Sequence, residues 1–196
     1  RYHQLDVVRR LIKDTTQKGA GETYLIQHSA GSGKSNSITW LAYQLIEAYP
    51  ESETVAGSKN TNQPLFDSVI VVTDRRLLDK QLRDNIKEFS EVKNSVAPAY
   101  KSSDLKSALE NGKRIIITTI QKFPFIIEGI ADMSNKQFAV IVDEAHSSQS
   151  GSSADKLNEA IGNKGEDTDA VDYQDKILEA MKARKMTKNA SYFAFT

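Results

Sequence analysis

A glycine-rich segment early in the chain has the residue types that bind the phosphates of a nucleotide. Its glycines allow the backbone to curl until successive N–H groups converge on phosphate oxygens. The lysine that follows can reach the β- and γ-phosphates, and the serine hydroxyl beside it can coordinate Mg²⁺. We therefore predict that this segment, the phosphate loop, binds a nucleoside triphosphate together with Mg²⁺, and the nucleotide we expect is ATP. The phosphate loop consists of Ala30, Gly31, Ser32, Gly33, Lys34 and Ser35.

The phosphate loop departs from the general pattern at its first position. That pattern is a glycine, four residues and then Gly-Lys-Ser or Gly-Lys-Thr between a strand and a helix, and here His28 replaces the first glycine. A helix that begins near Ser35 would still present the positive end of its dipole to an anion. The alternative interpretation is a Gly- and Ser-rich turn that contains a lysine by chance. The apolar run before the loop and the helical pattern after it favour a nucleotide site.

Two adjacent carboxylates follow a second apolar run, at residues 138–142. We predict that Asp143 holds Mg²⁺ through water and that Glu144 polarises the water that attacks the γ-phosphate. Neighbouring side chains leave a strand in different directions, so one strand end can serve both tasks. An acidic pair after a strand is also common in surface turns, but its occurrence with the phosphate loop favours a catalytic role for the pair. The predicted catalytic residues are Lys34, Asp143 and Glu144, and the predicted metal ligands are Ser35 and Asp143.

Apolar strands alternate with amphipathic helices along the chain and must position these residues. The spacing of Leu5, Val8, Leu11 and Ile12 predicts a first helix over about the first 16 residues. The other predicted helices follow Ser35 as far as Pro50 and cover residues 77–86, 102–111 and 177–181. The predicted strands are residues 24–27, 69–72, 114–118, 138–142 and 192–195. Strands that are apolar throughout are buried on both faces, so we predict an α/β domain with a mostly parallel sheet and helices on both faces.

The composition is that of one globular domain and does not reveal a partner. The 196 residues contain 26 Lys plus Arg and 26 Asp plus Glu, so bulk charge does not indicate nucleic-acid binding. The absence of cysteine excludes disulfides and thiolate metal sites. There is no signal-peptide pattern and no apolar run near the roughly 20 residues that cross a bilayer. These features fit a cytoplasmic protein, and the abrupt end after an apolar strand suggests a piece of a longer polypeptide.

The motifs occur in an order that a known family shares. The chain carries RYHQ at 1–4, QHSAGSGKS at 27–35, VVTDRRLLDKQL at 71–82, TTIQKF at 118–123 and DEAHSSQ at 143–149. Together they resemble the first RecA-like motor domain of a superfamily-two helicase or translocase. In finer spelling they resemble the motor subunit of type I restriction enzymes, over the whole length from Arg1 to Thr196.

The resemblance implies further site residues. Gln4 occupies the place of a glutamine that reads adenine, although it could also be a solvated residue in the first turn of a helix. His146 and Thr196 occupy places that couple hydrolysis to movement, and Ser147 stands where related restriction motors carry arginine. The residues expected to contact the DNA backbone are Arg75, Arg76, Thr119, Gln121 and Lys122.

The resemblance also implies an activity and partners. It implies ATP-dependent translocation on double-stranded DNA by the motor domain of a type I restriction endonuclease subunit, with ATP and Mg²⁺ as cofactors. Residues 1–196 would be a single RecA-like domain that pairs with a second one, and modification and specificity subunits would be partners. The alternatives are another superfamily-two DNA helicase or remodelling ATPase, a nucleotide-gated scaffold module without catalysis, and a phosphate-loop kinase.

Overall fold

Three-layered α/β organisation is visible in the computed structural model, which describes residues 2–29, 32–57, 60–73, 96–98, 102–119, 129–143 and 189–195. The helices of these ranges are α1 (Tyr2–Lys18), α2 (Lys34–Ile46) and α3 (Ser102–Glu110), with a short helical piece at residues 129–132. The strands are β1 (Thr23–Ile26), β2 (Ser68–Thr73), β3 (Val96–Pro98), β4 (Ile115–Thr119), β5 (Phe138–Val142) and β6 (Ala190–Phe195). The helices predicted at 77–86 and 177–181 lie outside the described residues.

The strands form one six-stranded sheet in the order β1-β6-β5-β2-β4-β3, and every pairing is parallel. All residues of β2 and of β5 are buried, as the apolar runs at 69–72 and 138–142 predict. Because the strands are parallel, their carboxyl ends lie along one edge of the sheet. The loops that carry the predicted chemistry leave from that edge.

Two hydrophobic clusters cover the two faces of the sheet. Successive strand residues point to opposite faces, so Val69 and Val71 join one cluster while Ile70 and Val72 join the other. Helices α1 and α2 pack in the first cluster, and α3 with the 129–132 segment packs in the second. The predicted α/β fold with helices on both faces is confirmed.

The buried stripe of α1 differs from the predicted apolar stripe. Its buried residues are Gln4, Val8, Leu11 and Thr15, whereas Leu5 is 41% exposed. The helix continues to Lys18 and stops before Gly19, whose φ of 90° favours glycine. The polar side chain of Gln4 is therefore directed into the protein from the first turn of the helix.

Other element boundaries also differ from the predicted ones. Helix α2 ends at Ile46 rather than near Pro50, and the guanidinium of Arg114 donates to the Ile46 carbonyl at this helix end. Strand β3 was not predicted, because it is only three residues long and ends in Pro98. It pairs with β4 at one edge of the described sheet, where a proline is tolerated. No helix of the described residues is long and apolar enough to span a membrane.

Asn189, which precedes β6, is hydrogen-bonded to the segment before β5. Its buried side-chain amide donates to the carbonyls of Ile130, Met133 and Lys136 at 3.0 to 3.1 Å. We predict that Asn189→Ala lowers the free energy of unfolding by about 1–3 kcal/mol, because it removes three hydrogen bonds to carbonyls that are buried or partly buried. Denaturant titration measures the change, and Asn135→Ala, at an exposed position nearby, should leave the midpoint unchanged. Equal midpoints for both variants would contradict this role of Asn189.

Candidate nucleotide-binding site

The described part of the phosphate loop lies between β1 and α2, as predicted. Ser32 and Gly33 precede Lys34, the first residue of α2. Gly33 has φ 86° and ψ 40°, a left-handed conformation that side chains disfavour. A Cβ at this position would also lie 2.1 Å from Gln4 Nε2. The backbone conformation therefore favours glycine, and a Cβ would in addition displace the side-chain amide of Gln4.

Gln4 holds the backbone of the phosphate loop. Its side chain is buried, with 4% of the residue exposed, and Nε2 donates to Gly33 O at 2.8 Å and to Ser32 O at 3.2 Å. The alternative of a solvated residue in the first helical turn is therefore wrong. These hydrogen bonds give Gln4 a contact with the loop that its resemblance to an adenine-reading glutamine did not include.

Two histidines also contact Ser32. His28 Nδ1 lies 2.6 Å from Ser32 Oγ, and His3 Nε2 lies 3.0 Å from Ser32 O. The His28 ring also lies against Phe195, with ring centroids 5.8 Å apart. Partial burial lowers the pKa of the His28 imidazole, and the nearby His3 and Lys34 lower this pKa further. The site thus favours a neutral imidazole. Its Nδ1 either donates a hydrogen bond to the Ser32 hydroxyl or accepts one from it, depending on the tautomer.

The phosphate loop and the predicted carboxylate meet in space. Lys34 Nζ lies 3.3 Å from Asp143 Oδ1, and the Asp143 side chain is only 3% exposed. Asp143 follows β5 directly, and its backbone N–H donates to Val72 O at 2.8 Å, which continues the pairing of β5 with β2. The parallel register therefore fixes the height at which this carboxylate faces α2. Glu144, the second carboxylate of the pair, lies outside the described residues.

The oxygen donors of this site fit Mg²⁺. Ser35 is the second residue of α2 and is partly buried, and Asp143 lies beside the preceding Lys34. A hydroxyl and a carboxylate are hard ligands of the kind that Mg²⁺ takes together with nucleotide phosphates and water. The backbone carbonyl of Ser35 accepts a hydrogen bond from Thr39 Oγ1 at 2.9 Å, which adds to the anchoring of this first helical turn.

Of the residues expected to contact DNA, only Thr119 lies in the described part of the chain. It is the last residue of β4, is half-buried, and pairs in register with Thr73 at the end of β2. Thr119 and Asp143 therefore lie at the same edge of the sheet. The predicted site residues outside the described ranges are Ala30, Gly31, Arg75, Arg76, Gln121, Lys122, Glu144, His146 and Thr196.

Sequence reasoning missed His3 and treated His28 as a departure from the loop pattern. His28 stands four residues before Ser32, and His3 stands beside Gln4 at the start of α1. The contact of His3 with Ser32 spans 29 residues of sequence, so local spacing could not indicate it. The burial of Gln4 had a signal, because Gln4 shares the helical stripe of Val8 and Leu11.

Comparison with known proteins agrees with this geometry. The family model for SWI2/SNF2 ATPases matches residues 3–196. A type I restriction enzyme endonuclease subunit of Haemophilus influenzae is 31% identical over 161 residues, which are 76% of this chain and 14% of that protein. A provisionally named type I restriction enzyme endonuclease subunit of Methanocaldococcus jannaschii is 31% identical over 180 residues, with 83% and 15% covered.

A third relative is of similar length to this chain. It is provisionally named the C-terminal part of a type I restriction enzyme endonuclease subunit of Mycoplasma pneumoniae, and it is 29% identical over 150 residues. The match covers 72% of this chain and 65% of the relative. Among solved structures, a yeast DEAD-box splicing factor aligns with 15% identity and a TM-score of 0.47, over 89% of this chain and 36% of that one.

The family model matches nearly the whole chain, and this match supplies the assignment. The chain therefore belongs to the SWI2/SNF2 ATPase family and is a helicase-like motor domain.

Proposed function

We propose that this motor domain hydrolyses ATP to translocate on double-stranded DNA, as part of the endonuclease subunit of a type I restriction enzyme. The observation that carries the proposal is the distance of 3.3 Å between Lys34 Nζ and Asp143 Oδ1. It brings a loop suited to phosphates next to a carboxylate suited to Mg²⁺. The names of the three relatives support the restriction context.

The roles of the site residues follow from their positions. Lys34 would contact the β- and γ-phosphates, and Ser35 and Asp143 would hold Mg²⁺, which would neutralise charge on the phosphates. The backbone amides of the phosphate loop would bind the phosphate oxygens. Glu144 orients the attacking water. Phosphoryl transfer needs such positioning and charge neutralisation more than covalent chemistry.

The ion pair of Lys34 and Asp143 has a second consequence. Asp143 is almost fully buried, and an unpaired buried carboxylate would be costly. With ATP and Mg²⁺ bound, the Lys34 ammonium would face the phosphates and Asp143 the cation, so that each charge would keep a partner of opposite sign. The same two residues thus stabilise the domain and form the site.

In this proposal Gln4 contacts both the phosphate loop and the adenine base. Its Nε2 holds the carbonyls of Ser32 and Gly33, and we assign it adenine recognition as well. Both contacts start from the first turn of α1. A glutamine at this position would therefore connect recognition of the base with the shape of the phosphate loop.

DNA binding and coupling are assigned to the sheet edge that carries Thr119 and Asp143. The proposed contacts to DNA phosphates come from Arg75, Arg76, Thr119, Gln121 and Lys122. His146 and Thr196 connect the ATP site to movement. Since the net charge is zero, these local groups rather than bulk charge would bind DNA.

We also propose which larger protein and which partner subunits this chain belongs with. The chain spans 65% of the Mycoplasma relative and 14% to 15% of the other two. We propose that residues 1–196 form one RecA-like domain, the N-terminal half of a two-domain motor whose second domain supplies an arginine finger. Modification and specificity subunits would be its partners. The alternative function is that of another superfamily-two DNA helicase or remodelling ATPase, which the name of the matching family supports.

We predict that the full-length protein has an ATPase that linear double-stranded DNA stimulates, and that it does not separate the strands. Lys34→Ala should weaken ATP binding by roughly 10- to 100-fold, because hydrogen bonds to charged groups contribute about 1.5–3 kcal/mol. Glu144→Gln should retain binding and lower kcat by roughly 10²- to 10⁴-fold. Steady-state ATPase, equilibrium ATP binding and a strand-displacement assay measure these effects.

The matched controls for these variants are Lys13→Ala and Glu53→Gln, at exposed positions outside the site. Both should behave as the unchanged protein. Full turnover in Glu144→Gln would refute the role of this carboxylate, and strand separation would favour the helicase alternative.

The contact between Gln4 and Gly33 yields a separate prediction. Gly33→Ala should destabilise the protein more than Gly112→Ala, although both glycines have positive φ, because a Cβ at Gly112 meets nothing within 4 Å. The cost at Gly112 is backbone strain of about 1–2 kcal/mol. The cost at Gly33 adds the displaced hydrogen bonds of Gln4, at about 0.5–1.5 kcal/mol each.

Denaturant titration compares the free energies of unfolding of the two variants. In a Gln4→Ala background the excess cost of Gly33→Ala should disappear, since the displaced side chain is gone. An excess that persists without Gln4 would show that the side chain does not cause it.

A further inference from the structure

Ser32, in the middle of the phosphate loop, is held at three atoms. His28 Nδ1 contacts its hydroxyl at 2.6 Å, His3 Nε2 contacts its carbonyl at 3.0 Å, and its backbone N–H donates to Ser29 O at 3.1 Å. Gln4 Nε2 adds a longer bond to the same carbonyl. The hydroxyl contact is the shortest of these. The position of the Ser32 side chain therefore depends on where the His28 ring lies.

The His28 ring is in turn positioned by the sheet. Its centroid lies 5.8 Å from that of Phe195, with the planes inclined by 40°. Phe195 is fully buried and is the last residue of β6, where it pairs in register with Ile26 of β1. His28 follows Ile26 by two residues. The imidazole thus contacts the phosphate loop with a ring nitrogen and the end of β6 with its face or edge.

A glycine at position 28, as in the general pattern of phosphate loops, could make neither contact. The replacement therefore adds a connection that the general pattern lacks. The neighbouring strand order makes this connection possible, because β6 lies between β1 and β5. The end of β6 is consequently next to the loop that follows β1.

We propose that His28 is a positioning residue that holds Ser32 for nucleotide binding and connects the phosphate loop to the carboxyl end of β6. The proposal rests on the proposed function of the loop as an ATP site. It gives His28 two separable contributions. The ring nitrogen sets the affinity for nucleotide, and the ring contact with Phe195 carries the state of the loop to the strand that ends immediately before Thr196.

Three substitutions in the full-length protein separate these contributions. His28→Phe keeps a ring beside Phe195 and removes the hydrogen bond, so it should weaken binding of fluorescently labelled ATP by roughly 3- to 10-fold. His28→Asn keeps a polar atom near the position of Nδ1 and removes the ring. It should bind the labelled ATP with nearly unchanged affinity and lose most of the stimulation of ATPase by DNA. His28→Gly should lose both, although it restores the general spelling.

A double-mutant cycle with Ser32→Ala tests the hydrogen bond from both sides. Ser32→Ala alone should weaken binding of labelled ATP by a factor similar to that of His28→Phe. The double variant should bind labelled ATP no more weakly than either single variant. Thermal unfolding identifies folded variants, and Ser32→Ala tests the contact if His28→Phe is unstable. Additive losses, or a His28→Gly variant that binds and responds to DNA like the unchanged protein, would overturn the proposal.

Lys34→Ala distinguishes failure of this inference from failure of the proposed function. If Lys34→Ala binds labelled ATP as tightly as the unchanged protein, the loop is not the ATP site and both proposals fall. If Lys34→Ala loses binding of labelled ATP while the effects of the His28 and Ser32 substitutions are additive, only the role of His28 is refuted.

Discussion

The ion pair between Lys34 and Asp143 is the interaction on which the site depends. It joins the first residue of α2 to the residue that follows β5, at 3.3 Å, in a place where the carboxylate is almost completely buried. Either charge alone would be costly there, and removing one partner from such a pair leaves the other uncompensated. The two elements are thus held together by the same charges that the proposed chemistry would use.

The parallel sheet explains how residues so far apart in sequence come together. Strands β1 and β5 lie on either side of β6, and their parallel pairing places all three carboxyl ends on one edge of the sheet. The phosphate loop follows β1 and Asp143 follows β5. Their ion pair therefore connects the two strands that flank β6, whose last described residue, Phe195, contacts His28. Gln4 reaches the same loop from α1, on one face of the sheet.

Much of this arrangement could be predicted from the sequence. The apolar runs of β2 and β5 are long enough and uniform enough to indicate strands buried on both faces, and the residue types of the loop and of Asp143 indicate phosphate and Mg²⁺ chemistry. The strand β3 could not be predicted, since Val96–Pro98 is short and has no period. The contacts of His28 and His3 with Ser32 depend on the packing of β6 and α1, which spacing along the chain does not determine. The burial of Gln4 had a signal, because Gln4 shares the helical stripe of Val8 and Leu11, but its partners in the phosphate loop did not.

We propose that Asp143 and the phosphate loop together hold ATP with Mg²⁺. The most direct measurement is the affinity of a slowly hydrolysed ATP analogue with and without Mg²⁺, for the unchanged protein and for Asp143→Asn, whose side chain is nearly isosteric. We expect Mg²⁺ to tighten binding to the unchanged protein and Asp143→Asn to lose most of this enhancement while it remains folded. An Asp143→Asn variant that keeps the full Mg²⁺ dependence would rule out this role of Asp143.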